Sequence, residues 1–545
     1  MVKLRRRSFL RLAGGAVALP RVAIAQTDQR PEVVIAVQAL TTSNTLDPVA
    51  EQSNVGERIL NSYVELPIGR NLQGELEAMP QLATSWKRTD DKTLEVSLRQ
   101  GVKFHNGDEL TAEDIAFTYS AERMFGATTP AGWDKTITMD TSRPVQKSKE
   151  LPSQVPAVAR RLWPSLVKVE VVDKYTCRLL NATPDVTLEG RLSAMGCQIV
   201  NRRAFEEAAS WLDYARKPIG TGPYKVRSYT PDTELVLEAH DDYWGGRPPI
   251  RTLRFVQVPE AAQRVNGIRA GQYHFACDLT PDQIKTVESD PKLEVVGGPI
   301  PNIRMSVFDK YDTALKDPRI RQALAHAIDR QQIVKELWLG RTIVPPGLQF
   351  AFYGDMLISG WTAPEFDLAK AKALVKEAGY KGDPIPFRLL NDYYTLQTAN
   401  AQVLTEMWQQ AGLNVQIEMK ENWAQIWDPQ GKRAIHDWSN SAQYNDPVSS
   451  LPTQHGPQGQ QQQVHEWAND EMNKLCGVLQ TSTDKEVRKK AYARMLVICE
   501  REDPAYTVIN QNATFTAKLK SVRWTSAPDF AMDFRASNWG GSIRG

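Results

Sequence analysis

Leu82-Ala83-Thr84-Ser85-Trp86, Thr93-Leu94-Glu95-Val96-Ser97-Leu98-Arg99-Gln100-Gly101-Val102-Lys103-Phe104-His105-Asn106-Gly107 and Thr111-Ala112-Glu113-Asp114-Ile115 follow one another in close order. Residue by residue, this is two strands, a turn and a capped helix. Leu94 to Leu98 is a short apolar run of strand character. His105-Asn106-Gly107 has the residue types that hold a tight turn, so His105 and Asn106 are read as turn residues rather than ligand contacts. Thr111 is a helix cap for a segment running to about Phe125.

The same punctuation continues on both sides. Strand-like runs recur at Glu32 to Val37, Val167 to Val172, Leu235 to Leu237, Leu253 to Val258, Ile303 to Phe308, Phe387 to Leu390 and Val415 to Met419. Helices alternate with them. Asp317-Pro318 provides a cap and first-turn proline for a helix ending near Gly340, and Asp367 to Gly379 and Thr395 to Gly412 end in glycine. Glu466 to Gln480 and Asp484 to Arg501 read as a helical pair. Such mixed alternation predicts an α/β protein. Gly220 to Tyr224 reads as a tight turn delivering a strand, while Ala127 to Pro156 and Gln454 to Gln463 lack periodicity and are expected to be surface loops.

The 545 residues are 41% apolar and 24% charged, which excludes a disordered, collagen-like or disulfide-scaffold chain. Length alone predicts about three compact units. Lys3, Arg5, Arg6, Arg7, Arg11 and Arg21 are balanced by no acid before Gln26, and against an overall +2 these six cations leave the remaining 520 residues at −4. A nucleic-acid binder would keep a basic stripe in its folded body, so no nucleic acid is expected.

The Arg6-Arg7-Ser8-Phe9-Leu10 opening, a weakly apolar run to Leu19 and Ala23-Ile24-Ala25 resemble a twin-arginine export signal, with cleavage expected after Ala25. Its apolar run is well short of the roughly 18 residues a membrane span needs. A soluble periplasmic product is expected. The five cysteines are an odd, sparse set. Buried free thiols are expected, with Cys177–Cys197 and Cys476–Cys499 as alternative pairings.

A secreted hydrolase is the rival reading. The chain has no Gly-x-Ser-x-Gly, no Cys-x-x-Cys, and no second histidine after His465-Glu466, where Asn469 stands. Gly220-Thr221-Gly222 and Gly431-Lys432 are too incomplete to cradle a phosphate. His436, His455 and His465 are close enough in sequence to suit a transition metal if folding joined them, although loop histidines are more often solvated. Pairs such as Glu406 with Glu418 or Asp428 with Asp437 are what any acid-rich chain offers. No catalytic residue, cofactor or metal is assigned.

The opening series, together with Gly220-Thr221-Gly222-Pro223-Tyr224, Asp242-Tyr243-Trp244-Gly245-Gly246, Asp317-Pro318-Arg319-Ile320-Arg321-Gln322-Ala323-Leu324, Ala327-Ile328-Asp329-Arg330 and Ala369 to Gly379, resembles the family 5 extracellular solute-binding proteins. These are the peptide, nickel and opine binders that feed ABC importers. The resemblance implies the two-lobed periplasmic-binding-protein fold with hinge crossovers and an extra subdomain. Residues 26–298 with 511–545 would form the first lobe, about 66–204 its subdomain, and 299–510 the second lobe. It also implies a monomer that closes on a small solute or peptide, then meets a membrane permease served by separate ATPase subunits.

In peptide-binding members, an Asp two residues before the segment resembling Asn445-Asp446-Pro447 receives the peptide amine, with a Trp three residues before that Asp. Gln443 and Asn440 occupy those positions here. Losing the carboxylate removes a charge-assisted hydrogen bond worth roughly 1.5–3 kcal/mol, and amides suit hydroxyl, carboxylate or blocked-amine groups better. Opines, sugars and metal chelates are therefore alternatives to peptides. Trp423, Trp427, Trp438 and Tyr444 could wall the pocket, Asp446 lies beside them, and Thr42, Ser43 and Asn44 follow the first strand where a cleft-edge loop is expected.

Overall fold

The computed structural model describes residues 28–126, 149–430 and 432–543. The basic leader and most of the Ala127–Pro156 stretch lie outside the described residues.

A ten-stranded mixed sheet runs through both lobes, in the order Val415–Lys420, Ile385–Leu390, Ile435–Ser441, Leu293–Phe308, Tyr506–Leu519, Phe275–Ala276, Glu32–Val37, Thr252–Gln257, Glu234–Ala239, Tyr224–Thr230. Glu32–Val37 pairs in parallel with Thr252–Gln257, residue for residue. Val33, Ile35, Ala36 and Val37 are fully buried there, because helices and neighbouring strands cover both faces. That explains why this strand reads as a continuous apolar run rather than an alternation.

Two strands are far longer than the usual five or six residues. Leu293–Phe308 has 16 residues and Tyr506–Leu519 has 14, and they run antiparallel at the centre of the sheet. Leu293 to Pro299 pair with Leu519 to Ala513; after register shifts between Pro299 and Met305, Met305 to Val307 pair with Val508 to Tyr506. Gly297, at φ +115°, lies where a Cβ would meet the Thr514 carbonyl oxygen at 2.1 Å, so the two backbones approach as only glycine permits. The register of this central pair is irregular in its middle and regular toward both ends.

The cores are separate. One gathers Ile35, Leu237, Phe255, Phe275, Trp524 and Phe534 against the first-lobe half of the sheet. A second, built around Val96, Phe104, Phe117 and Trp163, belongs to a four-stranded antiparallel sheet ordered Ala83–Arg88, Thr93–Leu98, Thr176–Asn181, Leu166–Asp173. Two more lie on the other half of the sheet: one, under Phe387 and Trp408, also takes in Ile284, Leu293 and Phe515, and one gathers around Trp467, Tyr492 and Val508.

The opening series forms strands Ala83–Arg88 and Thr93–Leu98, a turn, and helix Ala112–Thr118. His105 Nε2 shares a hydrogen at 3.0 Å with the Gly222 carbonyl, and Asn106 Nδ2 donates to Asp108 and Asn201, so both hold the turn. The helix expected to reach Phe125 breaks because Ser120 caps a new one, Ala121–Phe125, through Arg123 N–H. Gly220 and Gly222 press on the Tyr63 backbone, where a Cβ would meet it at 2.1 and 2.7 Å. The second-lobe helical pair is Asp470–Thr481 and Lys485–Val497; Asn469 caps the first, so it begins later than Glu466. Gln454 to Gln463, expected to be a surface loop, instead contains helix Gln460–Gln463, with His455 and Gln461 fully buried. All five cysteines are buried and free. Among the described residues no helix is long and apolar enough to cross a membrane.

Candidate functional site

At the carboxyl end of Glu32–Val37 the chain enters a polar loop that folds around one buried carboxylate. Glu51 accepts from Thr42 N–H at 3.0 Å, Ser43 N–H at 2.9 Å, Ser43 Oγ at 2.5 Å and the Ser53 hydroxyl. Gly56 makes room for it, since a Cβ there would lie 2.4 Å from Glu51 Cγ. The fully buried pair Arg123–Asp47, at 2.5 Å, ties the loop to the subdomain. Thr42 and Asn44 are left exposed, with Asn44 in the left-handed region at φ +56°.

Opposite stands an aromatic wall. Asn422 caps the short helix Trp423–Ile426 through Gln425 N–H at 3.0 Å, and the i, i+4 spacing puts Trp423 and Trp427 on one face, stacked with centroids 5.6 Å apart. Trp438, from strand Ile435–Ser441, meets Trp423 edge-on at 4.7 Å, and Tyr393 adds a further edge at 5.1 Å. Beneath them Arg304 grips Asp437 with both arms, Gln397 Nε2 donates to the same carboxylate, and the guanidinium lies 4.2 Å over the Tyr394 ring. Burial pushes the Asp437 carboxyl up, and Arg304 and Gln397 pull it back.

Between the walls lies a cavity of about 1950 Å³. Thr42, Ser43, Asn44, Trp423, Trp427, Trp438, Asn440 and Gln443 all line it. Gln443 Oε1 accepts from Met195 N–H at 3.2 Å across the lobes, and Asn440 Nδ2 donates to the Ser450 carbonyl at 3.3 Å. Tyr444 and Asp446 do not line it. The Tyr444 ring instead enters the subdomain core, against Gly190, where a Cβ would be 2.5 Å from its Cδ2. The Asp446 carboxylate is held by Arg488 at 2.7 and 2.8 Å and caps the turn Pro447–Ser449 through Val448 N–H. These two expected ligand contacts are therefore corrected to a packing contact and a structural ion pair.

The structure also brings in residues the sequence reading passed over. Tyr393 and Tyr394 follow strand Ile385–Leu390 as Thr42 follows the first strand, a signal that was available. Arg161, in the last turn of helix Gln154–Leu162, carried none, because a basic helix end usually faces water. The lobes touch directly through Val186 N–H to the Gln480 carbonyl at 3.0 Å and Arg161 Nη1 to Gln460 Oε1 at 3.1 Å.

The three histidines do not converge on a metal: among the described residues no group of three His, Cys, Asp or Glu could hold one. His465 is exposed, but His436 and His455 are buried rather than solvated. His436 Nδ1 lies 3.4 Å from the buried Glu466 carboxyl, and His455 stacks on Tyr506 at 4.8 Å. Burial brings both imidazoles down to about 3 and pushes Glu466 up to about 8.

The family model for bacterial extracellular solute-binding proteins, family 5 Middle, matches residues 77–462. Heme-binding protein A of Haemophilus influenzae is 26% identical over 489 residues, covering 82% of this chain and 81% of that protein. The dipeptide-binding protein of Escherichia coli K12 is 24% identical over 489 residues, covering 85% and 86%. The dipeptide binding protein from Pseudoalteromonas sp. SM9913, solved in complex with Met-Leu, superposes with a TM-score of 0.80 at 19% identity over 94% of this chain and 100% of that one. With most of its length matched and a solute-sized cleft between two lobes, this chain belongs to the family 5 extracellular solute-binding proteins of ABC importers, whose members bind peptides, nickel chelates or opines.

Proposed function

We propose that this protein captures a peptide or a small polar solute unaltered between its lobes, in the periplasm, and presents the closed form to a membrane permease powered by separate ATPase subunits. The observation that carries the reading is the cavity of about 1950 Å³ lined from both lobes, because contacts to both walls exist only when the lobes meet. The lobes are taken as 26–298 with 511–545 and 299–510, with a subdomain at about 66–204. The register shifts between Pro299 and Met305 support the limit near 298, while the core under Phe387 and Trp408 continues across it to Ile284, Leu293 and Phe515. The Arg6-Arg7 leader, removed after Ala25, would deliver the monomer across the inner membrane.

A second reading, a blocked-amine or opine-like solute, is favoured by the amides in the cleft. Gln443 already uses its oxygen on Met195 N–H, which leaves its NH₂ to donate. A donor suits a carboxylate or carbonyl and opposes an ammonium. Thermal unfolding across a solute panel tests the capture reading. A bound solute at about 100 times its Kd stabilises by about 2.7 kcal/mol and is recovered unchanged, whereas its consumption would contradict capture.

A further inference from the structure

Among the described residues three cations line the cleft, and two of them are committed elsewhere. Arg264 is buried and donates to the carbonyls of Cys277, Val258, Pro259 and Asp278. Lys420 pairs with Glu418 at 3.0 Å. Arg161 differs: among the described residues no carboxylate pairs with it, and its recorded hydrogen bond runs from Nη1 to Gln460 Oε1 across the cleft. It is half-buried in the cavity wall.

The acids around the cavity do not compensate it. Asp232, Glu260, Asp392 and Glu421 are exposed at the rim, and Asp278 is bound to Arg58 at 2.5 Å. Burial lowers the Arg161 guanidinium to about 10, which leaves it fully charged at neutral pH. A half-buried guanidinium that meets no carboxylate among the described residues keeps donors to spare, and its fork is shaped for a planar pair of oxygens. Gln460, from the other lobe, meets the same guanidinium, so a group bound there touches both lobes at once.

We infer that Arg161 is the anchor for a carboxylate of the captured solute, with Gln460 completing the seat from the opposite lobe. The inference rests on the cleft being the solute site and names the solute class: acids rather than free amines. A carboxylate fits better than a phosphate, since a single cation would face a phosphate dianion. The anchor acts on affinity and closure together, because the solute carboxylate joins the bridge that already spans the lobes.

The test uses N-acetyl-Met-Leu, its C-terminal amide and inorganic phosphate as probes, read by calorimetry and thermal shift on the full chain. The acid is expected to bind about 10- to 100-fold more tightly than the amide, with no response to phosphate. Arg161→Gln should erase the advantage of the acid over the amide, while Arg161→Lys, which keeps the charge without the fork, falls between. Unliganded melting of each variant against wild type checks that it is folded. Equal binding of acid and amide, no shift with the acid, or an acid response untouched in Arg161→Gln overturns the anchor. If acid and amide bind equally and both compact the protein in solution scattering, the anchor falls and the capture reading stands; if no solute compacts it, the capture reading itself fails.

Discussion

The first-lobe wall and the second-lobe wall of the cleft are built from opposite materials. On the first, Thr42, Ser43 and Ser53 direct their hydrogen-bonding groups inward onto the Glu51 carboxylate, so the loop is fixed by its own interior. On the second, Trp423, Trp427 and Trp438 hold one another by their edges and faces and remain half-buried. A loop organised around one buried charge has a single stable shape. A cluster of flat rings can lose a member and repack. The difference assigns rigidity to the first wall and solute contact area to the second.

Breaking Glu51 gives the largest effect. Glu51→Ala strands the buried N–H and hydroxyl of Ser53 and the partly buried donors of Thr42 and Ser43, and denaturant unfolding should show a loss of about 3–5 kcal/mol. A loss below about 1 kcal/mol would mean that the loop does not depend on its carboxylate.

The buried groups behind the second wall come next. Glu466 keeps its proton up to about 8 in the folded chain against 4.5 when free, so its contribution falls as pH rises between those values. His436 and His455 stay neutral down to about 3 against 6.5, so theirs falls as pH drops below 6.5. His105, held near 3 at the Gly222 carbonyl in the first lobe, acts in the same direction. Above 6.5 these imidazoles are neutral in both states, and among these groups only the Glu466 contribution still changes. From there to pH 8 it should decline by about 2 kcal/mol, at about 1.4 kcal/mol per pH unit. Glu466→Gln should remove the alkaline decline and leave the acid one, as measured by melting across pH. An unchanged alkaline limb would place the titrating group elsewhere.

Tyr444 sharpens the comparison, because it crosses from the second wall into the subdomain core. Tyr444→Ala should weaken solute binding about 30-fold, the equivalent of about 2 kcal/mol of ring burial lost from the closed form alone. Gly190→Ala should do the same by filling the hole, given a Cβ 2.5 Å from the ring. Calorimetry on both variants with one solute checks this, and full affinity in either would remove Tyr444 from closure. The smallest effect is expected at Trp438→Phe, which should change stability by less than about 1 kcal/mol and shift affinity by up to about tenfold.

The strands were legible because burial on both faces leaves Val33 to Val37 apolar throughout and Ile385–Leu390 apolar but for Arg388. The aromatic wall was legible for a related reason: tryptophans clustered beside a polar strand need a surface to cover. Tyr444 and Asp446 were not separable from Gln443 in sequence, since within a turn adjacent side chains point to different lobes and only the folded chain decides which. Arg161 escaped because its distinguishing feature is a missing partner. The polar run at Gln460 to Gln463 hid a buried Gln461 and a cleft-lining Gln460, because residue polarity predicts exposure only when no cleft passes beneath.

Small-angle scattering of the full chain, first stripped of solute by unfolding and refolding and then saturated with a bound solute, measures the gripping motion itself. The account predicts a smaller radius of gyration in the loaded protein. An identical radius in both states, with binding confirmed by calorimetry in the same sample, would contradict it.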